Sequence, residues 1–348
     1  MKKLVIKQVL PNREIIHFAE AGKIIGSRFN QIFVEEQGVA RTIVLPRRWW
    51  EWGPGSCRLL RRALRLDKCN VFPVGQNLVI IRGGMVYHHE FGYAGLRPVL
   101  RLRNCRNVLH QSITATPDGS IYFGEYGANR ERRAVPVHRS VDGGMSWATV
   151  YEFMPGEIKH VHGCYYDRHE DSVWVCTGDF AGENRILRAN RDFSRVEQIG
   201  DGSQKFRTCN FFFTPNRVYW LMDSQLETSH VVAFDRATRQ ITIGEALPGP
   251  VWYVKELADG YYLAGTAQEI GPGVRDKFAH LLVSRDLAHW EDLHLFSHDG
   301  WPMRFFKFGV MGFADGVQDS SNFPMFFEAI EGLDGCAAWC KIADHDES

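Results

Sequence analysis

The chain has 348 residues, 45% of them hydrophobic and 24% charged, a composition that excludes a disordered or collagen-like protein and leaves ample material for a core. Its 41 lysines and arginines balance 41 aspartates and glutamates, so no global charge calls for a nucleic acid or another polyanion. No window approaches the roughly 18 uncharged apolar residues of a membrane span, since even FFFTPNRVYWLM carries Pro215 and Arg217.

The chain opens on KKLVIKQVL, which reads as a strand that can close a ring of sheets against GCAAWCKI near the other end. Lys7, Pro11 and Arg13 break its apolar run too early for a secretory signal, so the expected location is cytoplasmic. The eight cysteines (57, 69, 105, 164, 176, 209, 336 and 340) form no CxxC pair and are expected to be buried free thiols. Residues 46–68 read as a Trp/Arg-rich insertion within a single domain of residues 1–348. In CRLLRRALRLD, Leu59, Leu60, Ala63 and Leu64 share one side of a short amphipathic helix, and Arg58, Arg61, Arg62 and Arg65 share the other. The basic, aromatic stretch Arg47–Trp52 suits stacking on sugar rings and anchoring acidic glycans.

From residue 108 onward, short runs of β-branched and aromatic residues alternate with Asp-Gly and Asp-x-Gly turns, the pattern of an all-β chain. Ser140-Val-Asp142-Gly143-Gly144-Met-Ser146-Trp147 and Ser284-Arg-Asp286-Leu-Ala-His-Trp290 are the same hairpin twice, with weaker copies at Asp192 and Asp235. These aspartates recur at intervals of 50, 43 and 51 residues, which predicts a β-propeller of six or seven blades, seven favoured. The hairpin from Ser140 to Trp147 resembles the Asp-box (bacterial neuraminidase repeat) of sialidase-like propellers, in which the carboxylate caps turn amides while the tryptophan packs between strands. The copy at Asp286 lacks the glycine and is one residue shorter.

A propeller gathers loops of many blades at one end of its axis, so polar residues one blade apart are the place to look for chemistry. Glu125 and Tyr126 follow the strand SIYF between glycines, with Arg130 just beyond. His160 and His162 share one face of a strand, and His110 lies one blade interval upstream. Asp179 follows Thr177-Gly178, and Gln204, Arg207 and Asn210 cluster in GSQKFRTCN; Trp220, Asp223, Trp252, Tyr253 and Arg304 complete the set of substrate-binding candidates. Arg207 is suited to bidentate pairing with a carboxylate.

The spacing of His110, His160 and His162 is similar to that of cytoplasmic oligogalacturonate lyases, seven-bladed propellers in which a His-x-His pair, a further histidine one blade upstream and a glutamine bind a divalent metal. Three residues before His160 this chain has Glu157 rather than a glutamine. The resemblance implies a divalent metal on those three histidines and an acidic, uronate-containing oligo- or polysaccharide as partner. Lyase chemistry needs the uronate carboxylate neutralised, a base for the C5 proton and an acid for the leaving oxygen. His110, His160, His162, Tyr126 and Arg207 supply those groups. A glycoside hydrolase would use Glu125 and Asp179 as its carboxylate pair, and a non-catalytic propeller binding a glycan or protein is the third reading. The Phe/Tyr-Arg-Ile-Pro motif expected of a sialidase near the start of the chain is absent.

Overall fold

A computed structural model describes residues 2–92, 95–103 and 105–344. Among these, 28 strands pair into seven four-stranded antiparallel sheets, so the chain is an all-β, seven-bladed β-propeller. Blade 1 runs from Ile15 to Val44, blade 2 from Asn70 to Arg101, blade 3 from Thr114 to Phe153 and blade 4 from His160 to Ile199. Blade 5 runs from Phe212 to Ala246, blade 6 from Val251 to Ser297 and blade 7 from Val310 to Asp344. The strand Lys2–Leu10 joins blade 7 as its fourth strand, with Ile6 opposite Cys340 and Leu10 opposite Ala337. That is the pairing expected of KKLVIKQVL.

The chain divides into two compact units, one of residues Met1–Cys69 with Leu247–Ser348, the other of Asn70–Ala246. The second holds blades 2 to 5. Its core lies in layers between facing sheets: Val79, Ile81, Ile121 and Phe123 form one, Tyr122, Phe153, Val161 and Val175 the next, and Trp174, Phe206, Trp220 and Phe234 a third. In the first unit Leu263, Leu281, Met311, Phe313, Phe323 and Phe327 do the same between blades 6 and 7. Each such side chain contributes about 1.5–3 kcal/mol by leaving water, and alternation along every strand is what brings one face inward.

Asp142, Asp192 and Asp286 sit in the turn that joins the third and fourth strands of a blade, and Asp235 ends the third strand of blade 5 just before that turn. Asp142 accepts from the amide of Ser146 at 2.9 Å and its hydroxyl at 2.6 Å, while Ser140 Oγ takes the amide of Gly144. Gly143 and Gly144 have φ of 72° and 93°, which only glycine adopts without strain. Asp286 accepts from the amides of Ala288 and His289, and Trp290 Nε1 donates to Leu287 O at 3.1 Å as Trp147 does to Gly144 O. Asp192 caps the amide of Ser194 and Asp235 that of Thr238.

The insertion forms a helix, α1 (Arg58–Ala63), but turned over relative to the sequence reading. Arg61 and Arg62 are buried, whereas Leu60 and Leu64 are 47% and 42% exposed. The cause is a set of acidic partners in the same unit. Arg61 Nε donates to Asp67 at 2.7 Å and its Nη2 to Glu14; Arg58 pairs with Asp334 at 3.0 Å; Arg62 is held by Asp299, by Asp334 and by the carbonyl of Phe306. Four carboxylates, Glu14 and Asp67 buried and Asp299 and Asp334 half-buried, thus face the arginines of α1. A second short helix, α2 (Met303–Phe306), packs beside α1. All eight cysteines are free, and no described helix is long and apolar enough to cross a membrane.

Candidate functional site

Blade 4 begins with the strand His160–Asp167, paired to Ser172–Gly178. The register slips between Val161 and Gly163, which leaves His162 on a bulge beside His160 and opposite no partner residue. Its ring lies over Gly178, where an added Cβ would come within 2.5 Å of His162 Cε1 and 2.8 Å of Nε2. The next residue, Asp179, opens the loop after this hairpin.

Both imidazoles are fixed from behind. His160 Nδ1 lies 2.7 Å from Gly127 O and His162 Nδ1 2.7 Å from Thr208 O. A carbonyl oxygen only accepts, so each Nδ1 carries a hydrogen, and a ring with its single hydrogen there presents a bare Nε2 lone pair. The two Nε2 atoms are 3.1 Å apart, and Asp179 Oδ1 is 3.2 Å from that of His162 and 3.4 Å from that of His160. Burial pushes the pKa of His160 down to about 4, so its ring is neutral near pH 7. Burial pushes the Asp179 carboxyl up, yet it stays well below the usual carboxylate range, with Lys159 and Arg207 as its cationic neighbours. Three electron-pair donors therefore converge on one point.

Charged side chains surround this point. Lys159 Nζ donates to Asp179 Oδ2, and Arg207 Nη2 is 3.5 Å from Oδ1. Gln204 Nε2 donates to the backbone oxygen of Asp179 at 2.9 Å, and Gln204 Oε1 accepts from Ser224 Oγ at 2.8 Å. Arg207 also meets Gln225 Oε1 at 2.8 Å and Asp223 Oδ2 at 3.4 Å. Burial raises the Asp223 carboxyl against the opposing charge of Arg207, and burial raises the Cys209 thiol far enough to keep its proton, which points at Asp223 Oδ2 from 3.4 Å. The Tyr126 ring covers the centre, 4.1 Å from the ring of His160 and 6.0 Å from that of His162.

The donor set fits a divalent cation. A tetrahedral ion with bonds of about 2.05 Å holds its ligand atoms about 3.3 Å apart, and the three distances here are 3.1, 3.2 and 3.4 Å. An imidazole whose other nitrogen donates to a backbone carbonyl is the usual arrangement of a metal-ligating histidine.

The structure thus brings together Tyr126, His160, His162, Asp179, Gln204, Arg207 and Asp223, all expected from the sequence. His110 is not among the grouped metal-ligating residues. It lies buried in the turn four residues ahead of the first strand of blade 3, Thr114–Ala115, whereas His160 begins the first strand of blade 4. Equal spacing in sequence is therefore not equal position in the blade, and the third candidate ligand beside His160 and His162 is Asp179. Glu125 is buried and committed to the amide of Arg103 at 2.9 Å and to His138 at 3.2 Å. Asn210 is buried beside Thr208, Arg130 is exposed, and Trp220 is a core residue whose Nε1 donates to Lys205 O. Trp252, Tyr253 and Arg304 belong to the other unit, the first two against its core and Arg304 exposed on α2. Sequence reasoning missed Lys159 and Cys209. The first was overlooked beside the His-x-His pair, and the second carried no signal beyond being a cysteine.

No family model and no curated protein matches the chain. Solved propellers are similar to it in fold. The extracellular domain of BT4673 from B. thetaiotaomicron aligns over 97% of this chain with a TM-score of 0.57 and 10% identity, and this chain spans 39% of that one. YCF48, solved bound to a D1 peptide, aligns over 99% of this chain and 95% of its own, with a TM-score of 0.57 and 11% identity. At such identity the likeness is one of fold.

Proposed function

We propose that the protein is a carbohydrate-active enzyme of acidic, uronate-containing oligo- or polysaccharides, working as a lyase by β-elimination around His160, His162 and Asp179. The observation that carries this reading is the convergence of two Nε2 lone pairs and Asp179 Oδ1 within 3.4 Å, ringed by Arg207 and Lys159. A divalent cation held there would supply positive charge to a uronate carboxylate and so acidify its C5 proton. Arg207 is the second neutralising group. With both imidazoles turned to ligation, proton transfer falls to Tyr126, whose phenol stands over them. The hairpins at Asp142 and Asp286 belong to the same reading as Asp-box turns of a sialidase-like scaffold.

The test is absorbance near 235 nm, where the unsaturated uronate product absorbs, during incubation with a panel of uronate oligosaccharides with and without EDTA. Rising absorbance that EDTA and His160→Ala both abolish is the expected result. New reducing ends without that absorbance would instead point to hydrolysis, and neither signal to a binding propeller.

A further inference from the structure

The unit of blades 1, 6 and 7 carries an unusual concentration of outward apolar side chains. On the insertion Trp49 is 85% exposed, Trp52 67%, Leu60 47% and Leu64 42%; on the segment around α2, Trp301 is 48% and Phe305 59% exposed. The segments that carry these residues are packed against one another. Arg47 lies 5.0 Å from the rings of both Phe29 and Trp52, and Arg61 5.7 Å from Phe29. On the other side Arg62 reaches the Phe306 carbonyl and ring, and that ring packs on Trp301 at 5.4 Å. Exposed apolar surface gathered in this way marks a partner.

Charge says which kind. Arg47, Arg48, Arg65 and Arg304 are exposed on these segments. The acids of residues 44–68 and 298–307 are Glu51, Asp67 and Asp299. Glu51 and Asp67 are buried, and Asp299 is bound to Arg62. The exposed charge that these two segments themselves contribute is therefore basic and set among apolar side chains. Tryptophan, phenylalanine and leucine among exposed arginines is the composition of a surface that sits in the headgroup layer of an anionic bilayer. A sugar polymer would use the tryptophans and arginines but has no use for Leu60 and Leu64.

We propose that this face docks the protein on an anionic membrane surface, without spanning it. The inference does not depend on the reading of the His160 site. It is tested by flotation with phosphatidylcholine vesicles with and without phosphatidylglycerol, alongside tryptophan emission. The wild type is expected to float with the anionic vesicles, with a blue shift, and to be released by salt. Trp49→Ser combined with Phe305→Ser should lower the bound fraction about tenfold or more with an unchanged melting curve, since both side chains are outside the core. His160→Ala should float like the wild type even where it abolishes any activity. Wild type that stays below the vesicles, or a double variant that floats equally well, would overturn the proposal. So would binding of soluble polygalacturonate that the double variant loses while no vesicle is bound, which would assign the face to a glycan.

Discussion

Arg62 and Asp179 are both ionised side chains largely removed from water, and the groups around them differ in kind. The guanidinium of Arg62, with 1% of its side chain exposed, meets two carboxylates and a carbonyl, so donors face acceptors throughout. Around Asp179 the matching fails on one side. Lys159 and Arg207 answer the carboxylate, yet its Oδ1 also faces two imidazole nitrogens that are acceptors like itself. A buried charge with complementary neighbours is part of the architecture, whereas converging like donors leave room for something the chain does not supply.

The comparison is broken most readily at Arg62. Arg62→Met leaves Asp299 and the Phe306 carbonyl without their partner and should cost about 3–5 kcal/mol in urea unfolding. Asp179→Asn should cost far less in the absence of a cation, because it also relieves the crowding of lone pairs. A small loss for the first or a larger one for the second would reverse the assignment of roles.

The next largest effect is ligand-linked. Protein stripped with EDTA and given zinc or manganese at about 100 times the dissociation constant should gain about 2.7 kcal/mol of unfolding free energy. His160→Ala and Asp179→Ala should gain nothing. An equal gain in these variants would place the cation elsewhere.

Much of the fold was legible because it is local and repeated. The aspartates at 142, 192 and 286 mark one turn position in three blades and Asp235 ends the matching strand of a fourth, and their interval points to six or seven blades, of which the chain has seven. The His-x-His pair was legible for the same reason, although a bulge rather than a regular strand places His162. What the sequence hid depends on distant partners. Nothing near residues 58–65 says that Asp299 and Asp334 will draw the arginines of α1 inward, so periodicity alone points to the leucines as the buried face. His110 was placed by counting, and a blade interval averaged over turns does not fix where a first strand begins. Lys159 and Cys209 needed the third dimension.

A smaller effect probes how closely the site is built. Gly178→Ala drives a methyl group to 2.5–2.8 Å from the imidazole of His162, so the ring must leave the position opposite Asp179. Cation affinity measured by isothermal titration should fall about 10–100-fold, as for a lost supporting contact, with the fold retained. Unchanged affinity would mean that His162 is not a ligand.

The smallest effect returns to the arginine cluster. Glu14 is buried there, and burial first and the charge of Asp67 second raise its pKa from 4.5 to about 7 against Arg58 and Arg61. Between those values the folded protein holds a proton that the unfolded chain has released, so stability should fall as pH rises from about 4.5 to 7. Glu14→Gln removes that proton equilibrium while keeping an acceptor for the Phe29 amide. The difference in urea unfolding free energy between pH 5 and pH 7.5 should therefore shrink in the variant. An unchanged difference would mean that Arg61 keeps Glu14 ionised throughout, and the cluster would then be as fully matched at Glu14 as it is at Arg62.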